Sequence, residues 1–276
     1  MLLLVSLQAP HSEDTIPMSS DTDKKAMNGR QQAIVELIRT SGSVTIEQLE
    51  QHFDVTPQTL RRDLNFLAET NQILRFHGGA TSMSNNRNTP YTERKIQNLE
   101  GKQRIAEAVA ARIPDHCSLF INIGTTNETV AAALMQHQGL QIITNSLHVA
   151  TVMSQKEDFR VIVASGEVRA RDGGIIGEAT IDFVRQFRLD FGIVGISGID
   201  DDGMLLDYDY REVRVAQAIL DQSRCVYLVA DHSKFGRNAM VQLAPISAVD
   251  ALFTDEAPPP ALAAALKAEA IELHIA

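Results

Sequence analysis

The sequence predicts an α/β protein with an N-terminal winged helix-turn-helix and, after it, a mostly parallel sheet with helices on both faces. Three observations carry that prediction. Between residues 45 and 70 two short capped helices follow one another and run into "ILRFHGGA", a strand with a Gly-Gly turn. From residue 96 onward short apolar runs alternate with helix-length stretches. The charge is also unevenly spread. Residues 24–95 hold ten Lys/Arg against seven Asp/Glu, and residues 96–276 hold fifteen against twenty-four, in a chain of 276 residues with a formal net charge of −10. A mildly basic head on an acidic body suits a protein that touches a polyanion with one end only.

The composition bounds the rest. With 44% apolar and 22% charged residues the chain reads as an ordinary globular protein. Cys117 and Cys225 stand alone, without CxxC spacing, so they give neither a zinc site nor a disulfide framework and read as buried structural thiols. No apolar run approaches the roughly 20 residues needed to cross a bilayer. "MLLLVSL" is short, has no preceding positive residue and is followed by acids, which makes it a poor signal peptide. Residues 1–26 read as a disordered leader, with Met18 and Met27 as alternative starts. The expected location is the cytoplasm, with no membrane partner.

In "RQQAIVELIRTSG", Ile34, Leu37 and Ile38 share one helical face, and Gly42 supplies the stop. In the next helix Thr45 as cap and Gln48 three residues later form a capping box. The third helix opens with Thr56 as cap and Pro57 at the first helical position, and buries Leu60, Leu64 and Leu67. That leaves Gln58, Thr59, Arg61, Arg62 and Asn65 facing outward, with Arg75 and His77 on the wing and Gly78-Gly79 at its tip. The winged module spans 27–80, a polar linker 81–95, and an α/β domain 96–276. Its expected strands are 118–124, 140–146, 159–165, 190–197, 225–231 and 250–255, with helices at 127–137, 178–187 and 211–222 and an Ala-rich helix near the end.

An arginine fork matches the guanine edge in the major groove, and Gln58 and Asn65 match adenine. Thr56, Thr59 and the helix start suit phosphate oxygens. Two arginines alone would more simply solvate a helix and pair with Asp63 or Glu69. Their setting between a capped helix pair and a wing favours duplex DNA. A second site is expected beyond the strand ends. "FINIGTTNETVA" places Gly124, Thr125 and Thr126 at a helix start, an anion cradle of free N–H groups. "ITNS", "ASGE", "GISGID" and "VADHSKFG" add further polar strand ends. There is no P-loop, HExxH, GxSxG or GxGxxG between a strand and a helix, and no cofactor is expected.

"TPQTLRRDLNFLAE" followed by "ILRFHGGA" resembles the amino-terminal signature of the DeoR family of bacterial repressors. Asn71-Gln72 stands where that family commonly has a glycine. The later segments resemble the family's effector domain, which is similar in fold to ribose-5-phosphate isomerases. The resemblance covers residues 28–276. It implies that Gly124, Thr125 and Thr126 hold a phosphate with Thr144 and Asn145 beside them, that Lys234 supplies a cation, and that Asp209 or Glu212 faces ligand hydroxyls. It further implies a repressor of glycerol metabolism, released from operator DNA by a sugar or polyol phosphate such as sn-glycerol 3-phosphate. A helix-turn-helix dimer reads paired half-sites, so a homodimer or homotetramer is expected. The alternative is a sugar-phosphate isomerase with an appended module. It needs a general base, for which Glu212 or Asp209 is available, whereas Asn122, where the family often has Asp, argues against it. A third reading uses the winged module for protein contacts.

Overall fold

The computed structural model describes residues 27–41, 43–70, 72–76, 78–82 and 88–276. The leader 1–26, Gly42, Asn71, His77 and linker residues 83–87 lie outside the described residues.

The winged module runs α1 (Gly29–Ser41), β1 (Ser43–Thr45), α2 (Ile46–Phe53), α3 (Pro57–Glu69), β2 (Ile73–Phe76) and β3 (Gly79–Ser82). Local chemistry sets its helix starts. The Thr45 side chain accepts from the Gln48 N–H, and the Gln48 side chain accepts from the Thr45 N–H, completing the capping box. Thr56 caps α3 with Pro57 behind it. Asp54 closes α2 in the left-handed region at φ 46°, which turns the chain into α3. Ile34, Ile38, Leu49, Leu60, Leu64 and Leu67 meet in one core with no more than 1% exposure. Burying each such side chain contributes about 1.5–3 kcal/mol. The wing is a three-stranded antiparallel sheet of order β1-β3-β2, so the short β1 before α2 joins the hairpin that the sequence suggested.

The second part opens with α4 (Tyr91–Ile96) and α5 (Leu99–Ala110). It continues through β4 (Ser118–Ile121), α6 (Thr125–Ala133), β5 (Gln141–Thr144), α7 (Leu147–Met153), β6 (Arg160–Val163), β7 (Glu167–Arg169), β8 (Gly174–Ile176) and α8 (Glu178–Val184). Then come β9 (Leu189–Gly195), β10 (Gly198–Ile199), β11 (Met204–Asp207), α9 (Tyr210–Gln222), β12 (Ser223–Val229), β13 (Val241–Pro245), β14 (Ala251–Thr254), α10 (Pro260–Ala268) and β15 (Glu272–Ile275). Seven strands form one parallel sheet in the order β15-β14-β12-β9-β4-β5-β6. Successive residues of each strand serve opposite faces. Leu119 and Ile121 of β4 pack with α5, α6 and α7, while Phe120 between them packs with the α8–α9 side.

All six expected strands lie in this sheet. β15 is an added edge strand, and α4 occupies part of the segment read as linker. The hairpin β7–β8 and the small antiparallel sheet β10-β11-β13 are further additions. Strand order reverses at β4, with β5 on one side and β9 on the other, and this switch opens a crevice at the strand tips. Among the described residues no helix is long and apolar enough to cross a membrane.

Candidate functional site

Gln58, Arg61, Arg62 and Asn65 are exposed on α3, as the leucine stripe requires. Asp63, which offered Arg61 and Arg62 a partner in the simpler reading, is buried and engaged elsewhere. Arg30 Nε donates to it at 2.7 Å and Gln31 Nε2 at 2.9 Å, both from α1. Neither Arg61 nor Arg62 has an ion-pair partner among the described residues. Thr56 caps the helix start by accepting from the Thr59 N–H, and the two hydroxyls lie 3.0 Å apart. Arg75 Nη1 donates to Asn65 Oδ1, tying the wing to α3. The result is a solvent-facing cationic surface on a rigid helix, with its fork donors unspent.

The crevice at the sheet switch is built differently. Gly124, at φ 138°, makes the turn from β4 into α6 that a side chain would strain. No side chain caps α6, so its first N–H groups are left for another acceptor. Gly124, Thr125, Thr126 and Asn127 line the cleft beside Gly195 and Ser197 from the tip of β9. Asn127 Nδ2 donates to the carbonyls of Asn122 and Ile123, while its buried Oδ1 has no partner. Three cations converge here. Arg94 comes from α4 and Lys234 from the turn after β12, and both line the cleft. Lys102 of α5, 3% exposed, donates from Nζ to Thr125 Oγ1 at 3.1 Å and to the carbonyl of Arg94.

Burial depresses all three. It pushes the Lys234 ammonium down to about 8, with Asp231 opposing, and lowers Arg94 and Lys102 as well. Neither lysine forms an ion pair among the described residues, and the nearest carboxylate to Arg94 is Asp172 at 3.7 Å. Asp172 is already forked by Arg169, at 2.8 and 2.7 Å. Burying a charge costs several kcal/mol per ion, and Asp231 beside the lysines, with Glu212, Asp172 and Asp207 around Arg94, offsets only part of that cost. A positive hole beside a helix N-terminus therefore favours a small anion.

An acidic rim faces this hole. Arg169, on the β7–β8 hairpin, also pairs with Asp209 at 2.9 Å and with Glu212 at 2.8 Å. Burial and the neighbouring Asp207 push Glu212 up to about 7, against the pull of Arg169. Burial likewise raises Asp207, which accepts from Ser197 Oγ at 3.1 Å. Burial works against ionisation of Asp209 too, but the Arg211 N–H and Arg169 hold it below the usual carboxylate range. A ligand with phosphate at one end and hydroxyls at the other fits this polarity.

The structure thus gathers Gly124, Thr125, Thr126, Glu212 and Lys234 in one cleft. Asp209 caps α9 and reaches the rim through Arg169. Thr144 and Asn145 are not among the residues lining it. The Thr144 hydroxyl donates to Ile121 O at 2.7 Å and accepts from Ser146 N, and Asn145 Nδ2 donates to Ile175 O. Sequence reading missed Arg94, Lys102, Asp207 and Ser197. Each looked like an ordinary helix or strand-end residue, and only packing brings them together. A wider groove between α5 and α6 is lined largely by alanines, with Glu107 and Asp115 along it, the wrong charge for an anion.

Two family models match the chain, the DeoR-like helix-turn-helix domain over residues 30–86 and the DeoR C terminal sensor domain over residues 97–256. The chain belongs to the DeoR family. Within that family it is similar to the glycerol-3-phosphate regulon repressor of Escherichia coli (strain K12), at 57% identity over 246 residues, 89% of this chain and 98% of that protein. The protein of the same name from Haemophilus influenzae (strain ATCC 51907 / DSM 11121 / KW20 / Rd) is 53% identical over 83% of this chain and 89% of its own length. DeoR membership makes the chain a regulator with a helix-turn-helix and a sensor part, and not an enzyme. Among solved structures, a D-ribose-5-phosphate isomerase in complex with phospho-erythronic acid aligns with TM-score 0.38 and 12% identity, over 50% of this chain and 54% of that one. Asn122 turns its Oδ1 back to accept from the Ile123 N–H at 2.8 Å.

Proposed function

We propose that this DeoR protein is a cytoplasmic transcriptional repressor of glycerol and glycerol-3-phosphate metabolism. Residues 27–80 read operator DNA through Arg61, Arg62, Gln58 and Asn65, with Thr56, Thr59, Arg75 and His77 meeting the backbone. Residues 96–276 bind sn-glycerol 3-phosphate, and 81–95 connect the two. The phosphate sits on the N–H groups of Thr125 and Thr126 with Lys234 beside it, and the hydroxyls face Glu212 and the rim held by Asp209. The protein acts as a homodimer or homotetramer on paired half-sites.

One observation carries the effector assignment. The buried Lys102 and the half-buried Lys234, neither in an ion pair among the described residues, flank an uncapped helix start, in a chain 57% identical to a protein named for the glycerol-3-phosphate regulon. Release from DNA follows only if the ligand prefers the conformation that docks poorly on the operator, because equal affinity for both states shifts nothing. Calorimetric titration with sn-glycerol 3-phosphate, glycerol and ribose 5-phosphate, run beside gel shifts on the operator fragment, tests this. Heat and operator release with sn-glycerol 3-phosphate, and neither with glycerol, are expected. An operator complex indifferent to every one of these compounds would remove the effector reading. A fragment that never shifts would remove the DNA reading.

A further inference from the structure

We propose that helix α4 reads the occupancy of the cleft, with Arg94 binding the anion directly and Lys102 acting as the latch between α4 and the cradle. This deepens the proposed function and rests on the cleft being an anion site. The first observation is that Arg94, although it faces Asp172, Glu212 and Asp207, has hydrogen-bond donors to spare. A guanidinium carries five N–H donors. Among the described residues Arg94 spends Nε on the carbonyl of Thr89 at 3.1 Å, and its nearest carboxylate, Asp172, is 3.7 Å away and shared with Arg169. Arg94 nonetheless lines the same cleft as Gly124, Thr125 and Thr126.

The second observation concerns Lys102. Its single ammonium bonds both the cradle hydroxyl of Thr125 and the backbone carbonyl of Arg94. A phosphate arriving at the start of α6 competes for that ammonium and recruits the Arg94 guanidinium at the same time, so the hold on α4 changes when the cleft fills.

The third observation is how α4 is mounted. Tyr91 Oη donates to the Glu128 carboxylate of α6 at 2.8 Å, and its ring stacks on His148 at 5.1 Å. At the other end Asn98, in the left-handed region at φ 49°, makes the bend into α5 and donates from Nδ2 to Asp255 Oδ2 at 2.7 Å. Asp255 in turn binds His232, two residues before Lys234. A six-residue helix is thus pinned at both ends and fastened in the middle by groups that an anion would claim. Only residues 83–90 separate it from β3 of the wing.

Hydrogen exchange on the full chain tests the assignment, with inorganic phosphate and with sn-glycerol 3-phosphate as probes. In the wild type, saturating probe should slow the amides of residues 91–98 by about tenfold, the factor one charge-assisted hydrogen bond carries. Arg94→Gln should lose that slowing, and Arg94→Lys should keep part of it, since it retains the charge without the fork. Undiminished slowing in both variants, or none in the wild type with either probe, overturns the proposal. Operator release is read separately. A wild type whose α4 is protected by sn-glycerol 3-phosphate but whose operator complex persists sinks the effector reading and leaves the assignment of α4 standing.

Discussion

The two cation-rich regions of this protein handle charge in opposite ways. On α3, Arg61 and Arg62 stand in solvent without an ion pair among the described residues, and Asp63 is turned inward to Arg30 and Gln31. At the cleft, Lys102 behind Thr125 is 3% exposed, and burial lowers Lys234, Arg94 and Lys102 together. The difference suits the proposed ligands. A duplex is a long polyanion whose counterions must be displaced, so accessible charges and a rigid frame serve it. A single phosphate is small and strongly hydrated. Holding it against water takes desolvated donors whose cost is relieved only when the anion arrives.

The largest expected effect tests that contrast through salt. With six to ten phosphate contacts, operator affinity should fall by roughly a thousandfold or more between 50 and 200 mM salt. Effector affinity should fall far less, because buried charges are poorly screened. Anisotropy and calorimetry over one salt series give both slopes, and parallel slopes would erase the distinction. Next in size, Lys234→Ala should weaken sn-glycerol 3-phosphate binding about ten- to hundredfold while leaving effector-free operator binding intact. Unchanged ligand affinity would take Lys234 out of the site.

Arg62→Ala should cost about 1–3 kcal/mol at the specific operator and less on unrelated duplex. Equal losses on both would mean that it touches only phosphate. The smallest effect is with pH. Lys234 sits at about 8 and Glu212 at about 7, so raising the pH from 7 to 9 removes a positive charge and adds a negative one beside the anion. Both changes weaken effector binding, by about tenfold at pH 9. Operator affinity should stay nearly flat across that range. An effector affinity that rises with pH would reverse the assigned roles.

The parts of this molecule legible in the sequence are those whose physics is local. Thr45 with Gln48, and Thr56 with Pro57, announce helix starts because a cap needs only its next three residues. Five of the six parallel strands show as apolar runs because both of their faces are covered, and β6, an edge strand with Val163 exposed, still carries the apolar run "VIV". β15, "ELHI", escaped because it is short, mostly exposed and alternates polar with apolar residues. Gly124 to Thr126 were found because a strand, a glycine and a helix start are contiguous. Arg94 and Lys102 were not, since a cation in a helix looks solvated until another helix closes over it. Thr144 and Asn145 are polar strand ends like the others, yet their hydrogen bonds close on Ile121 and Ile175.

By itself the sequence determined the caps, the leucine stripe that turns Arg61 and Arg62 outward, the run of buried strands and the family. Tertiary structure alone decided which cations lose their water, which carboxylates Arg169 neutralises, and that a helix just beyond the wing reaches into the cleft. The physical reason is one of range. Caps and periodicity act over a few residues, whereas desolvation depends on every element packed around a charge, and those elements come from distant parts of the chain.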